Sequence, residues 1–249
     1  MRKYFSKIKK YLKDNSWSLS WLRLLRELRI VDHDLNPAFS QEGEDLILNS
    51  YFLKKDKGFY VDIGANHPKK FSSSYLFYLR GWRGINIDPW PKAKDLFAKY
   101  RPDDIFVNCG VANEDNLLDY YCFNSSLVNT FNAVEAKQLE NNPDSGCKLL
   151  AVKKIKVRRL ADILLEHDSF IATRQIDFMN IDVEGGEIAV LESNNWDKYI
   201  PSFIAVEIHG FNLHYPEKFE VHNFLVAKGY HLIAKTQLTV IYKHQAYEI

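Results

Sequence analysis

The sequence predicts an α/β fold on a mostly parallel sheet, and three observations carry that prediction. Short apolar runs alternate with amphipathic stretches from residue 58 onward. Two of these runs end in a carboxylate, at Asp62 and at Asp88, 26 positions apart. The last two runs, His231 to Lys235 and Thr239 to Lys243, lie close enough to pair as a hairpin. Strands that alternate with helices favour parallel pairing through right-handed crossovers, and a closing hairpin adds an antiparallel last strand.

The elements follow in order. Asp34-Leu35-Asn36-Pro37 breaks the pattern of the preceding arm, and Ser40 or Gln41 begins a helix whose early acids suit the helix dipole. Strand 58–63, a helix over 72–80, strand 84–88, a helix over 91–100 and strand 105–109 make a βαβαβ unit. Residues 113–158 are irregular, with an extra strand at Leu117 to Phe123 and a loop at Asn141 to Gly146. This insertion is a natural place for acceptor contacts. The regular pattern resumes with strand 153–158, a helix at 159–167, strand 176–181, a helix at 187–193, strand 203–208 and a helix at 217–228.

The run Val61-Asp62-Ile63-Gly64-Ala65-Asn66 leads into a turn of small residues, where a backbone can approach a ligand at the carboxyl edge of a sheet. It lacks the G-x-G-x-x-G pattern, and a carboxylate at Asp62 in the turn would repel a pyrophosphate. An acidic turn suits a cationic ligand without phosphate, and S-adenosylmethionine has that chemistry. Asp88 stands where an acid accepts hydrogen bonds from ribose hydroxyls in doubly wound folds, and Pro89 stops the strand behind it.

Ser40-Gln41 with Gly43-Glu44-Asp45-Leu46, the Asp62 turn, Gly81-Trp82-Arg83-Gly84 with Ile87-Asp88-Pro89, and Ile181-Asp182-Val183-Glu184-Gly185 resemble the FkbM family of S-adenosylmethionine-dependent methyltransferases over about residues 39–243. The resemblance implies a Rossmann-like class I methyltransferase fold with a seven-stranded sheet whose last strand is antiparallel. It also implies O-methyl transfer, often to a sugar hydroxyl of a glycan. By the same resemblance Asp62, Gly64, Ala65 and Asn66 hold the methionine end of S-adenosyl-L-methionine, Gln41 and Glu44 line that side, and Asp88 takes the ribose. Ser73, at the start of the first crossover helix, is a further cofactor contact, and Asn108 to Val111 follow the third strand where the adenine lies.

Methyl transfer needs an aligned acceptor oxygen and a route for its proton. Asp182 and Glu184 follow one strand and Glu207 and His209 the next, and residues two apart on an extended chain share a face. His209 is the first choice of base, because imidazole titrates near neutral pH, and Asp182 the second, with a cofactor contact also assigned to it. The same groups suit Mg²⁺ or Mn²⁺ as a divalent metal, although no liganding motif fixes an ion.

Composition narrows the classes. The 249 residues carry a net charge of +1, which argues against a general nucleic-acid binder, and 46% hydrophobic content supports a substantial core. Cys109, Cys122 and Cys147 have no zinc spacing and read as reduced thiols of a cytoplasmic protein. Residues 1–30 hold nine Lys or Arg against two acids, while the rest holds 24 against 30. Residues 1–35 therefore read as a basic amphipathic helical arm ahead of a methyltransferase domain at 36–249. The arm either touches the inner face of a membrane through residues 1–30 or packs on protein. The partner expected is a sugar or glycan acceptor in surface-polysaccharide synthesis. Set against it is a non-catalytic nucleotide-binding scaffold in a glycan-assembly complex.

Overall fold

A computed structural model describes residues 36–171 and 175–247 of the chain. The basic arm expected at 1–35 lies outside the described residues. Among the described residues no helix is long and apolar enough to cross a membrane.

Helix α1 (Glu44–Tyr51) precedes β1 (Phe59–Ile63), α2 (Tyr75–Leu79), β2 (Arg83–Ile87), α3 (Ala93–Tyr100) and β3 (Ile105–Val107). The insertion comprises β4 (Gly110–Val111), β5 (Asn116–Phe123), α4 (Ala133–Asn141) and β6 (Leu149–Arg158). The chain continues through α5 (Leu160–Glu166), α6 (Asp168–Ile171), β7 (Phe178–Ile181), α7 (Glu187–Glu192), β8 (Phe203–Glu207), α8 (Glu220–Ala227), β9 (Tyr230–Lys235) and β10 (Thr239–His244). Ser40 does prepare the first helix, since its Oγ accepts the N–H groups of Gly43 and Asp45 at 3.2 and 3.3 Å. The helix itself begins at Glu44, behind Gly43 in the left-handed region at φ 86°.

The main sheet has seven strands in the order β3-β2-β1-β7-β8-β10-β9, and only β10 runs antiparallel to its neighbours. This is the Rossmann-like arrangement expected, with one refinement: β10 does not close the edge but inserts between β8 and β9. Strands β1 and β8 are buried along their whole length, as a sheet covered on both faces requires. Phe59, Val61 and Ile63 pack with α5, α7 and α8 on one face. Tyr60, Phe178 and Phe203 pack with α1 and α2 on the other. The strand order reverses between β1 and β7, and ligands of doubly wound folds bind in the crevice at such a point.

One expectation is corrected. The run at 153–158 is not a main-sheet strand; it belongs to the longer β6, which pairs antiparallel with β5 and parallel with β4 in a separate three-stranded sheet. Its lysines explain why. Lys153, Lys154 and Lys156 are exposed, and a strand so charged cannot be buried on two faces. Lys154 instead meets Asp119 of β5 at 3.0 Å.

Candidate active site

The cleft opens at the carboxyl ends of β1, β2 and β7 and has a volume of about 270 Å³. Its floor is fixed by one close approach. Gly64 has φ +81°, and a Cβ there would fall 1.6 Å from the main-chain oxygen of Asp182, so the turn after β1 and the end of β7 meet at a contact that only glycine permits. Gly64 and Ala65 donate their N–H groups to the Ile87 carbonyl at 2.9 and 3.2 Å, which ties the turn to β2 as well.

Beside that floor lies Asp88, 4% exposed. Its Oδ2 accepts the Asn66 N–H at 2.8 Å and its Oδ1 the Trp90 N–H at 2.7 Å. Burial nevertheless pushes its carboxyl up to about 7, because two backbone donors do not replace lost hydration and Asp62 adds a like charge nearby. Asn66 sits at φ 43° and exchanges two hydrogen bonds with Ser126, at 2.9 Å to the carbonyl and 3.0 Å from the hydroxyl.

Of the residues assigned to the cofactor, Gln41, Gly64, Asn66, Asp88, Val111 and Asp182 line the cleft. The others do not. Asp62 stands in strand β1 rather than in the turn, where Ser74 at the start of α2 and Asn180 of β7 donate to it and burial raises its carboxyl. Behind it runs a buried network: Arg101 pairs with Asp104 at 2.8 Å, both side chains fully buried, and reaches Ser74 at 3.0 Å and the Tyr60 hydroxyl at 2.7 Å. Ala65 packs with Ala93 and Phe97. Glu44 accepts the Ser73 hydroxyl at 3.1 Å, so these two hold one another under the α1–α2 face. Asn108 is exposed and donates to the carbonyls of Asp88 and Trp90, holding up the loop after β2 from outside.

The four residues expected at the acceptor end are brought together. His209 Nε2 lies 3.5 Å from Glu184 Oε2 and 3.5 Å from Glu207 Oε2, and ligand atoms of Asp182, Glu184 and Glu207 all fall within 4.8 Å of one another. Glu184 takes the left-handed region at φ 55°, and the Thr130 hydroxyl donates to its carbonyl at 3.0 Å. A non-glycine residue there costs about 1–3 kcal/mol. Burial, reinforced by the Glu207 carboxylate, pushes Asp182 well above the usual carboxylate range. Asp182 is open to water at the cleft mouth yet enclosed by protein on its other sides. Burial likewise pushes Glu184 and Glu207 up to about 7; for Glu184 the Asp182 and Glu135 carboxylates add to the rise, while for Glu207 a hydrogen bond with Asp182 opposes it and the Glu184 carboxylate adds to it.

The insertion, where acceptor contacts were expected, supplies individual residues that sequence reasoning did not name. Leu118 and Tyr120 of β5, Val157 of β6, and Asn129, Phe131 and Asn132 from the β5–α4 connection form the opposite wall, and Glu135 of α4 faces Glu184 and His209. Phe71, 55% exposed and at φ 53°, adds an aromatic to the cleft from the β1–α2 loop. The clustering of apolar and amide residues between 117 and 135 was the only available signal. Cys109 lines the cleft, but burial pushes its thiol up to about 11 and leaves it a poor nucleophile.

Residues 62–232 match the family described as "Methyltransferase FkbM domain". The match spans more than half of the 249 residues, and the chain belongs to that methyltransferase family. No curated protein matches it. Among solved structures it is similar to a precorrin-6y C5,15-methyltransferase from Geobacter metallireducens GS-15, at 14% identity over 86% of this chain and 96% of that one, with a TM-score of 0.39. It is also similar to a putative caffeoyl-CoA O-methyltransferase from Staphylococcus aureus, at 13% identity over 97% and 98% of the two chains, with a TM-score of 0.42.

Proposed function

We propose that this methyltransferase transfers the methyl group of S-adenosylmethionine to a hydroxyl oxygen of a sugar, in glycan or surface-polysaccharide synthesis. The observation that carries the reading is the cleft lined by Gly64 and Asp88 at one end and by Asp182 and Glu184 at the other, with Glu207 and His209 outside that lining but gathered against Asp182 and Glu184.

The residues fit the donor. Gly64 lines the cleft where β1 and β7 meet, and Asp88 beside it presents a buried carboxyl group suited to a pair of ribose hydroxyls. Gln41, Asn66 and Asp182 would take the amino-acid end. When bound, S-adenosylmethionine supplies a methyl group already activated on a sulfonium.

The chain then has to orient the acceptor and move one proton. His209 Nε2 accepts the proton of the acceptor hydroxyl, and Glu184 and Glu207, each 3.5 Å away, stabilise the imidazolium so formed. Asp182, on the cleft lining beside Glu184, positions a hydroxyl-rich acceptor. Phe71 and the insertion wall narrow the cleft and exclude water. Family membership supports the donor, and the polar, base-containing rim supports oxygen as the atom methylated.

The test uses the full chain with S-adenosylmethionine and a panel of sugar nucleotides and lipid-linked glycans, read by mass spectrometry. The expected result is a cofactor-dependent gain of one methyl group on a hydroxyl oxygen. Tight binding of S-adenosylhomocysteine with methylation only on nitrogen or carbon acceptors would refute the O-methyl assignment.

A further inference from the structure

The rim holds more negative charge than proton removal by His209 uses. Asp182, Glu184 and Glu207 converge at the ends of β7 and β8. Glu207 Oε2 is buried, has no hydrogen-bond partner and belongs to a side chain only 9% exposed. A buried oxygen left without a donor costs about 1–3 kcal/mol, more for a charged group. The imidazole of His209 does not relieve it, lying 3.5 Å away with its own side chain 53% exposed. Glu184 is drawn into the cluster through a left-handed backbone that the Thr130 hydroxyl fixes, so a strained residue adds a third carboxyl group beside Asp182 and Glu207, which hydrogen-bond one another.

We propose that Asp182, Glu184 and Glu207 bind one divalent cation of the hard class, Mg²⁺ or Mn²⁺, at the acceptor end of the cleft. Three carboxylates with no thiolate among them select an oxygen-preferring ion. Three protein oxygens leave the remaining positions of an octahedron to water and to the acceptor, the usual state of a protein-bound Mg²⁺. Glu135, Glu184 and His209 form a second convergent set that shares Glu184, but the buried, partnerless oxygen belongs to Glu207, and it places the ion in the deeper set. An ion there lowers the pKa of a coordinated acceptor hydroxyl and eases its loss of a proton to His209. That chemical role rests on the methyl-transfer reading, whereas ion binding does not.

The experiment titrates the full chain, freed of metal with EDTA and then desalted, with Mn²⁺ at pH 7.5, following free Mn²⁺ by electron paramagnetic resonance. One saturable site tighter than about 1 mM, displaced by Mg²⁺, is the expected result. Glu207→Gln keeps the shape of the side chain and should weaken the site by at least the ~10-fold that marks loss of a supporting group, while circular dichroism reports an unchanged fold. Absence of saturable binding, or equal affinity in wild type and E207Q, would overturn the site. Stabilisation by glucosamine but not by Mn²⁺ would assign the hollow to an ammonium group and overturn it equally. Binding of S-adenosylhomocysteine in EDTA, measured separately, keeps failure of the metal site distinct from failure of the cofactor cleft.

Discussion

Asp88→Asn removes the charge at the donor end of the cleft, together with one of the two backbone hydrogen bonds that the carboxyl group accepts. In the free protein burial holds the Asp88 carboxyl at about 7 against a usual 3.8, a difference of about 3 units or roughly 4 kcal/mol at 1.36 kcal/mol per unit. The folded state therefore binds this proton more tightly than the unfolded chain does, and between about pH 4 and 7 the native protein holds more protons than the denatured one. The stability contributed by the protonated form is present below pH 4 and is lost as pH rises through 7. Asparagine removes that dependence, so the slope of unfolding free energy against pH over this window should be shallower in the variant by up to about 1.4 kcal/mol per pH unit. Ligand binding runs the opposite way. Ribose hydroxyls donate to the ionised form, so wild-type affinity for S-adenosylhomocysteine should fall about tenfold per unit as pH drops below 7, and the variant's affinity should be flat. At pH 8 the variant should bind more weakly by the ~1.5–3 kcal/mol of a hydrogen bond to a charged group, or about 10–150-fold. Isothermal titration calorimetry from pH 5.5 to 8.5, paired with urea unfolding, measures both slopes. A folded variant with wild-type affinity at pH 8 and the same pH profile would refute the ribose assignment.

Gly64→Ala places a methyl group 1.6 Å from the Asp182 carbonyl oxygen at φ +81°; beyond the ~1–2 kcal/mol of left-handed backbone, β1 and β7 must part at their ends. Thermal unfolding and S-adenosylhomocysteine titration should both show a loss, and wild-type values in both would disprove the close contact. Arg101→Met strips the cation from a fully buried pair with Asp104 and should cost about 3–5 kcal/mol in urea unfolding; a loss below about 1 kcal/mol would mean that the network is dispensable. His209→Ala should lower kcat by about 10²–10⁴-fold with little change in cofactor affinity, and undiminished turnover would remove His209 as the base. For the arm at 1–35, the membrane proposal predicts that the full chain co-sediments with anionic vesicles and not with neutral ones, and that a chain lacking residues 1–33 does neither; equal negligible binding would make the arm a packing element.

The parts of the site legible in the sequence were those where one residue type has one physical use. Gly64 after an apolar run announced a turn with left-handed backbone, and Asp88 before Pro89 announced a carboxylate at a strand end. Spacing of two likewise placed Asp182 with Glu184 and Glu207 with His209. Direction was harder. Alternation along β1 puts Asp62 on the same face as Tyr60, yet both faces of that strand are buried, and nothing local says which face adjoins the cleft. Glu44 and Ser73 were assigned to the cofactor because their partnership spans the α1–α2 interface and leaves no mark in the sequence. The wall from β5 to α4 was unreadable for another reason: its strands pair with one another, and a strand at 153–158 looks the same in sequence whether it joins the large sheet or a small one.

That small sheet changes how acceptor preference can vary. Its long ladder, β5 against β6, is internal to the insertion, and the insertion meets the rest of the cleft through Ser126 on Asn66 and Thr130 on Glu184. A graft that keeps these two anchor points can replace the facing residues wholesale while the donor floor at Gly64 and Asp88 stays as it is. The two anchors also land on opposite ends of the cleft, one on Asn66 beside Asp88 and one on Glu184. Any transplanted wall is thereby held in register with both ends of the cleft at once, so the insertion is the part of this fold that can be exchanged without rebuilding the rest.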